Sequence, residues 1–229
     1  MKSKKFKVLV TDVPNDIIIE KTVLGNKFQV YLTNIKKFKK LSKQFKLKID
    51  AILTGATIKF DSKELSNFPN CKIISRYGIG YDNIDLNEAV KRNIQICVVP
   101  DYGVDEVSDH ALTMILNLNR SLGIYDMNMK NSYRKNIILW DHNYSPFQKR
   151  LKDMTLGIIG LGRIGSSLAR KAKSLNMNVV FYDPLVKSGY EKILDIKRVY
   201  KLNEIAKYSD AVSLHVPYNK RNHNFVDDN

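Results

Sequence analysis

The stretch Thr155-Leu-Gly-Ile-Ile-Gly-Leu-Gly-Arg-Ile-Gly165 decides the fold of this chain. A short apolar run typical of a buried strand (Thr155–Ile159) leads into the pattern Gly160-x-Gly162-x-x-Gly165, and an apolar periodicity typical of a helix follows over Ile164–Leu175. In such a unit the first glycine permits a tight turn, the second lets a pyrophosphate approach the backbone, and the third lets the helix pack closely on the strand. The free N–H groups at the start of the helix also favour a bound anion.

A second strand, predicted over Val179–Asp183, ends in an acidic residue 23 positions after Gly160. An acid at this point accepts hydrogen bonds from the ribose of an adenine dinucleotide, so the segment predicts a nucleotide-binding βαβ unit. A carboxylate repels the 2′-phosphate of NADP, and the adjoining Pro184 and Leu185 supply no arginine to bind that phosphate. The pattern therefore favours NAD, and Lys187 keeps NADP open as the alternative.

The alternation continues after this unit with a helix predicted over Asn203–Tyr208 and a strand predicted over Ala211–Val216. Polar residues follow from Pro217 to Asn229. A doubly wound nucleotide fold has two halves and about six strands, of which only the first half is visible here. The sequence therefore predicts an incomplete Rossmann domain over residues 104–229.

The first hundred residues also alternate between apolar runs and amphipathic stretches. The predicted strands are Lys7–Thr11, Phe28–Leu32, Ala51–Thr54, Ile73–Ser75 and Ile94–Val99, and the helical stretches include Ile35–Phe45 and Leu86–Arg92. Strand and helix in alternation predict a mostly parallel sheet that is covered on both faces. The fold class is therefore α/β, with a flavodoxin-like first domain over residues 1–103.

A connector is predicted between the two domains. Apolar residues recur there at helical spacing, at Val107, Ala111, Ile115, Leu118 and Leu122. They predict one long helix over residues 104–129, with Asp105 as its N-cap, that opens the second domain. The stretch Asn131–Lys152 is expected to be a loop.

The charge of the chain raises the question of an anionic partner. The 229 residues include 38 Lys and Arg against 23 Asp and Glu, which gives a formal net charge of +15. The densest run, Lys36–Lys48, is interleaved with apolar residues at helical spacing and is expected to be a solvated face opposite a buried stripe. We expect no nucleic-acid partner, because no reading helix or aromatic platform is recognisable. A basic nucleic-acid binder is the alternative that the charge keeps open.

The cysteines and the N-terminus bear on metals and location. Cys71 and Cys97 lie in apolar runs without the spacing of a metal site or a redox pair, so both are expected to be buried hydrophobic residues and no metal site is predicted. The apolar run Val8–Val10 is too short for a signal peptide, and no run approaches the ~20 apolar residues that span a bilayer. We expect a cytoplasmic protein without membrane contact.

Three parts of the chain resemble the NAD-dependent D-isomer-specific 2-hydroxyacid dehydrogenases, which include phosphoglycerate dehydrogenases and the C-terminal-binding-protein corepressors. These parts are Thr155–Gly165 with Val179–Pro184, Arg76–Asp85, and Val99–Leu112. The last two are not shared by Rossmann proteins at large. The resemblance implies an oxidoreductase that transfers hydride between NAD(H) and a 2-hydroxy or 2-oxo acid and forms a homodimer at full length. An NAD(H)-responsive binding protein like the corepressors is the alternative.

The resemblance also implies which residues form the site. It places Arg76, Ile79 and Gly80 beside the substrate carboxylate in a cleft between the domains. The implied cofactor contacts are Val107, Gly160, Gly162, Arg163, Ile164, Gly165, Asp183, His215, Val216, Pro217 and Asn222. Of these, Val107 is expected beside the nicotinamide and Asn222 near the ribose. Val216 and Pro217 are expected on the adenine side.

Catalysis in the family uses a histidine as general acid and base, a carboxylate that orients it and an arginine that holds the substrate. These residues come from later strands and from the segment after them, so no catalytic residue is assigned in this chain. The histidines His110, His142, His215 and His223 are interpreted as structural or solvated. We therefore expect this chain, interpreted as an N-terminal portion or an incomplete gene product, to have no dehydrogenase turnover on its own.

Overall fold

The computed structural model describes residues 5–12, 15–137, 148–218, 222 and 224. The chain forms two compact units: unit 1 takes in the residues up to Tyr102 and those from Pro217 onward, and unit 2 runs from Gly103 to Val216. Pro217 and Asn222 thus belong to unit 1, whereas the sequence placed them in the second domain. The strand predicted over Ala211–Val216 ends at Leu214, and proline at position 217 lacks the N–H group that would continue the sheet.

Unit 1 is built on a parallel sheet of five strands within the described residues. The strands are β1 (Phe6–Val10), β2 (Phe28–Leu32), β3 (Ala51–Thr54), β4 (Ile73–Arg76) and β5 (Gln95–Cys97). Their order is β2-β1-β3-β4-β5, and every neighbouring pair is parallel. This is the strand order of flavodoxin-like folds, which confirms the predicted class of the first domain.

Short helices cover the sheet of unit 1. They are α1 (Ile18–Leu24), α2 (Ile35–Phe38), α3 (Lys43–Lys46), α4 (Ser62–Leu65) and α5 (Leu86–Lys91). The core contains Phe38, Phe60 and Phe68, whose ring centroids lie 5.9 to 6.4 Å apart. Cys71 lies in the same core, and burial raises the pKa of its thiol to about 11, so its interpretation as a buried hydrophobic residue is confirmed. Cys97 ends the edge strand β5 and is only partly buried, contrary to the prediction.

The single helix predicted over Ile35–Phe45 is two separate turns, α2 and α3. Asn34 caps the first, since the Lys37 N–H donates to its Oδ1 at 2.9 Å. Ser42 caps the second, since the Phe45 N–H donates to its Oγ at 3.2 Å. A serine that can cap a new turn competes with continuation of the helix, and the apolar periodicity does not reveal this.

The lysine run Lys36–Lys48 is not wholly a solvated face. Lys46 is only 8% exposed, and its Nζ lies 2.6 Å from Glu64 Oε1 and 4.8 Å from the ring centroid of Phe38. Its long aliphatic stem lets the side chain pack in the core while the ammonium group finds a carboxylate. Part of the positive charge of this run is therefore neutralised inside unit 1.

Unit 2 carries a second parallel sheet, of four strands in the part of the chain that is described. The strands are β6 (Thr155–Ile159), β7 (Asn178–Tyr182), β8 (Lys197–Arg198) and β9 (Ala211–Leu214), in the order β8-β7-β6-β9. Counted within the unit this is 3-2-1-4, the beginning of the Rossmann order, so the predicted Rossmann domain is confirmed. The helices are α6 (Val104–Arg120), α7 (Leu122–Lys135), α8 (Arg163–Ser174), α9 (Tyr190–Ile193) and α10 (Leu202–Tyr208), with a 3₁₀ turn at Leu151–Asp153.

The prediction of one connector helix over residues 104–129 is wrong, because α6 and α7 are separate. Ser121 lies between them in the left-handed conformation with φ of 52°, which cannot continue a right-handed helix. Asn119 fixes the end of α6, because its side-chain amide exchanges two hydrogen bonds with the backbone of Lys149. The long apolar pattern conceals this break because the residues on either side of it remain apolar.

The ends of the connector also differ from the prediction. Gly103 is the N-cap of α6, and Asp105 lies in the first turn, where its charge still favours the positive end of the helix. Helix α7 continues past Asn131 into the predicted loop, and residues 138–147 of that loop lie outside the described residues. No helix in the described ranges is both long enough and apolar enough to cross a membrane.

Candidate dinucleotide-binding site and anion-binding loop

The register of the unit 2 sheet brings three strand ends together. Ile159 lies opposite Tyr182 on one side and opposite Leu214 on the other. The residues that follow the strands therefore emerge side by side at the carboxyl edge of the sheet: Gly160, Asp183 and His215. Ligands of open α/β sheets bind at this edge.

Two glycines of the turn between β6 and α8 are required by packing within the chain. Gly160 has φ of +91°, and a Cβ built on it would lie 2.6 Å from the carbonyl oxygen of His215. A Cβ on Gly165 would overlap the carbonyl oxygen of Gly160. These glycines let the turn lie against the end of β9 and let α8 start close to β6.

Gly162 is different, because packing does not explain it. Its φ is −72°, and a Cβ built on it would have no described atom within 4 Å. No side chain caps the start of α8, and the N–H groups of Gly162, Arg163 and Ile164 donate to no acceptor among the described residues. Open space in front of free N–H groups at a helix start fits the pyrophosphate of a dinucleotide. The predicted role of the second glycine therefore has room in the structure.

Asp183 is fixed beside the turn by both of its carboxylate oxygens. Oδ2 accepts a hydrogen bond from the Leu161 N–H at 2.8 Å, and Oδ1 accepts one from the Leu185 N–H at 2.8 Å. Each carboxylate oxygen has a second lone pair, so both can accept a further hydrogen bond from a ribose hydroxyl. The carboxylate is thus oriented before any ligand is bound.

His215 and Val216 also lie against the glycine turn. The His215 N–H donates to the Ile159 carbonyl at 2.7 Å, and Val216 Cγ1 lies 2.8 Å from a Cβ built on Gly160. Burial lowers the pKa of His215, and its Nε2 lies 2.9 Å from Ser213 Oγ. A histidine with a lowered pKa is neutral at pH 7, so His215 adds no charge to the site.

Within unit 2, no described contact places the other predicted cofactor-binding residues, Val107, Pro217 and Asn222, beside the glycine turn. Val107 is exposed in the first turns of α6. Pro217 and Asn222 belong to unit 1, where Asn222 Nδ2 donates to the Pro217 carbonyl at 2.5 Å. Their proximity to a cofactor stays a prediction.

Arg198 is a residue of this region that the sequence analysis missed. It lies on β8 and donates to backbone carbonyls of the loop that begins at Asp183. Its guanidinium also pairs with Glu191 at 3.1 Å. No motif marks it, because its main partners are backbone atoms.

In unit 1, the loop that follows β4 is built around the guanidinium of Arg76. Arg76 is 9% exposed, and its Nε donates to Asn83 Oδ1 at 3.2 Å. Asn83 is itself fixed, because its Nδ2 donates to the carbonyls of Gly55 and Ile58. Gly78, with φ of 156°, passes over the guanidinium so closely that a Cβ would lie 3.0 Å from Arg76 Nη1.

This loop retains donors for an anion. The N–H groups of Ile79 and Gly80 donate to no acceptor within the described residues, and Ile79 is partly exposed. Arg76 forms no ion pair with any described carboxylate, and its Nη1 and Nη2 have no described acceptor. The structure thus places Arg76, Ile79 and Gly80 in one loop with a buried positive charge, and their contact with a substrate carboxylate stays a prediction.

Of the remaining histidines, His110 is the one that the structure describes. His110 is exposed on α6, and His142 and His223 lie outside the described residues. Within the described ranges no group of three or more His, Cys, Asp or Glu side chains could hold a metal ion.

The family follows from residues 112–229, which match the family described as D-isomer specific 2-hydroxyacid dehydrogenase, NAD binding domain. The match covers just over half of the chain. The chain belongs to this family. The resemblance found in the sequence is therefore confirmed, and the Rossmann unit is a dehydrogenase NAD-binding domain.

Similar proteins include both an oxidoreductase and a C-terminal-binding protein, the two kinds of protein that the sequence suggests. Glyoxylate reductase of Thermococcus litoralis is 35% identical over 179 residues, which are 78% of this chain and 54% of the reductase. C-terminal-binding protein 1 of Caenorhabditis elegans is 33% identical over 166 residues, which are 72% of this chain and 23% of that protein. The chain thus spans about half the length of the reductase.

A solved structure supports the same assignment. The D-lactate dehydrogenase of Aquifex aeolicus, crystallised with NAD and lactic acid, has a TM-score of 0.80 and 30% sequence identity. The comparison covers 94% of this chain and 62% of that one. The fold of the described chain is therefore that of the dehydrogenase family over nearly its whole length.

Proposed function

We propose that this chain supplies the dinucleotide site and part of the substrate site of an oxidoreductase that interconverts 2-hydroxy and 2-oxo acids with NAD(H). The observation that carries the proposal is the open space at Gly162, beside N–H groups of Gly162, Arg163 and Ile164 that have no described acceptor. These residues would hold the pyrophosphate, and Gly160 and Gly165 shape the turn that presents them. When bound, NAD(H) supplies or accepts the hydride.

Asp183 would select NAD over NADP. Its carboxylate is fixed by the N–H groups of Leu161 and Leu185, so it cannot easily turn away from a 2′-substituent. With a ribose hydroxyl there it accepts a hydrogen bond, whereas with a 2′-phosphate it meets a like charge. His215 and Val216 would add a neutral wall on the same edge of the sheet.

The loop around Arg76 would bind the carboxylate of the acid substrate. The N–H groups of Ile79 and Gly80 and the Nη1 and Nη2 groups of Arg76, which have no acceptor among the described residues, supply donors of the required type. The names of two relatives, glyoxylate reductase and D-lactate dehydrogenase, point to a small 2-oxo or 2-hydroxy acid. An Arg76→Met variant that retains the wild-type affinity for such an acid would argue against this role.

Isothermal titration of the purified 229-residue chain with NADH tests the dinucleotide site. We expect binding in the micromolar range, which is common for enzyme–ligand pairs. No heat of binding at NADH concentrations up to about 1 mM would refute the proposal. We expect no NADH oxidation with glyoxylate or pyruvate, because no residue of this chain matches the catalytic histidine; steady turnover would overturn that expectation alone.

A corepressor-like binding protein is the second candidate, and the 33% identity to C-terminal-binding protein 1 favours it. In that case NADH would change affinity for a protein partner instead of serving as a hydride donor. Partner binding that NADH strengthens distinguishes this candidate from the dehydrogenase.

A homodimer would use the apolar surface of the connector helices. Helix α6 exposes Leu118 in its last turn, and helix α7 exposes Leu122, Met127 and Met129. Exposed apolar side chains on neighbouring helices can contribute to an association surface. Sedimentation equilibrium tests the dimer, and Leu118→Glu should shift the equilibrium toward monomer.

A cytoplasmic location is the remaining part of the proposal. Cys71 and Cys97 are both free thiols in the structure, which suits a reducing compartment. Cell fractionation followed by immunodetection tests the location.

A further inference from the structure

Arg198 uses all of its hydrogen-bonding capacity on the chain itself. Its side chain is 11% exposed, and an arginine has five N–H donors. Nη1 donates to the carbonyls of Asp183 at 3.3 Å and Val186 at 2.9 Å, and Nη2 donates to the carbonyl of Lys187 at 2.8 Å. Nε and Nη2 donate to Oε2 of Glu191 at 3.3 and 3.1 Å. The five contacts equal the five donors.

These contacts fix the loop that carries the ribose-binding acid. The three carbonyls belong to the loop after β7, and the Arg198 guanidinium lies 4.7 Å from the ring centroid of Phe181 on that strand. The backbone of Asp183 is thus held by Arg198, while its side chain is held by the Leu161 N–H of the glycine turn. Hydrogen bonds from two separate parts of the chain, β8 and the glycine turn, therefore hold the backbone and the carboxylate of Asp183.

Glu191 completes the arrangement electrostatically. Backbone N–H groups at the start of α9, together with Arg198, lower the pKa of Glu191. Glu191 is therefore ionised at neutral pH, and the Arg198–Glu191 pair carries no net charge. The only arginine that contacts the loop after Asp183 in the described structure has neither a spare donor nor an uncompensated charge for a phosphate.

We propose that Arg198 is a positioning residue that holds Asp183 for NAD, and that Glu191, by engaging Arg198, prevents it from binding the 2′-phosphate of NADP. This inference rests on the proposed dinucleotide function. It assigns cofactor preference to a residue pair outside the glycine motif. A merely structural role for Arg198 would change stability and would leave the preference between the two cofactors unchanged.

The test is calorimetric titration of the full 229-residue chain with NADH and with NADPH. Arg198→Met removes all five hydrogen bonds but keeps an aliphatic side chain over Phe181. We expect NADH affinity to fall about tenfold, and the preference for NADH over NADPH to narrow, because a loosened loop lets Asp183 move away from the phosphate. Arg198→Lys has three donors in place of five and should give an intermediate preference.

The reverse variant is Glu191→Gln, which leaves the loop contacts of Arg198 to the carbonyls but removes the opposing charge. We expect NADPH affinity to rise about fivefold, with NADH affinity within about twofold of wild type. The matched control is Lys197→Met on the same strand, whose Nζ lies 5.0 Å from the ring centroid of Tyr208. It removes one neighbouring cation and should leave both affinities unchanged.

The outcomes separate this inference from the proposed function. Wild-type chain that binds neither cofactor overturns both. Wild-type chain that binds NADH, with an Arg198→Met variant of unchanged cofactor preference, overturns the role of Arg198 alone. An NADPH affinity that does not rise in Glu191→Gln overturns the role of Glu191. Thermal unfolding of every variant confirms that the compared proteins are folded at the temperature of titration.

Discussion

Replacing Gly162 by alanine should separate cofactor binding from folding. A Cβ at Gly162 has no described atom within 4 Å, and the φ of −72° is ordinary for an L-residue. The same change at Gly160 meets the carbonyl oxygen of His215 at 2.6 Å in a backbone with φ of +91°. The two substitutions add the same methyl group to one turn, but only Gly160→Ala collides with the protein.

The structure sets the expected magnitudes. Gly162→Ala should change the free energy of unfolding by less than about 1 kcal/mol, because the gain from a less flexible unfolded chain is offset by a poorer N-cap. Gly160→Ala combines about 1–2 kcal/mol of backbone strain with about 1–3 kcal/mol of overpacking. At Gly162 the overpacking cost falls on the bound pyrophosphate instead, which corresponds to roughly 5- to 150-fold weaker NADH binding.

Thermal unfolding by circular dichroism and titration with NADH measure the two effects on the same samples. Gly162→Ala should melt within a few degrees of wild type and bind NADH at least about fivefold more weakly. Gly160→Ala should lower the melting temperature by about 4–20 °C. A Gly162→Ala variant that melts as low as Gly160→Ala, or that binds NADH with wild-type affinity, would contradict these expectations.

Three further predictions concern the interior of the two units. Burial raises the pKa of Asp12, but hydrogen bonds from Thr11, the Gly55 N–H and others outweigh burial and lower this pKa below its ordinary value. The stability that ionised Asp12 adds is therefore present above about pH 4 and is lost as the pH falls. Asp12→Asn should weaken the pH dependence of acid unfolding, monitored by circular dichroism. Ser209 Oγ is buried without a hydrogen-bond partner among the described residues, so Ser209→Ala should stabilise the chain by about 1 kcal/mol, and a lower melting temperature would contradict this. Burial raises the pKa of the Cys71 thiol to about 11. Ellman's reagent at pH 8 should therefore leave this thiol unreacted in the native chain and label it after denaturation in guanidinium. Two rapidly reacting thiols in the native chain would contradict the burial of Cys71.

The strands were predictable because a buried parallel strand is a short continuous apolar run. Phe28–Leu32, Ala51–Thr54 and Thr155–Ile159 have the predicted ends. The connector was not predictable in the same way, because its apolar periodicity continues through Ser121. One residue with positive φ breaks the helix there, and a serine is not a residue type that marks such a position.

The glycine turn and Asp183 were predictable because the motif itself specifies backbone geometry. The spacing requires a strand, a tight turn and a second strand, and the register then brings the carboxyl ends together. The cofactor contacts predicted after the last strand, Pro217 and Asn222, had no such geometric motif. They rested on the resemblance, and the contacts of the described chain place them in unit 1.

Two buried arginines show why the rest of the site could not be predicted. Arg76 and Arg198 are similarly buried, at 9% residue exposure and 11% side-chain exposure. Arg198 uses its five donors on three carbonyls and Glu191, whereas Arg76 uses only Nε on a described acceptor. A backbone carbonyl exists at nearly every position of a chain, so the sequence cannot show which arginine is satisfied by its own protein. The two arginines differ in how many of their N–H donors have an acceptor within the described structure. Arg198 is therefore suited to fix a loop, and Arg76 is suited to bind an anion.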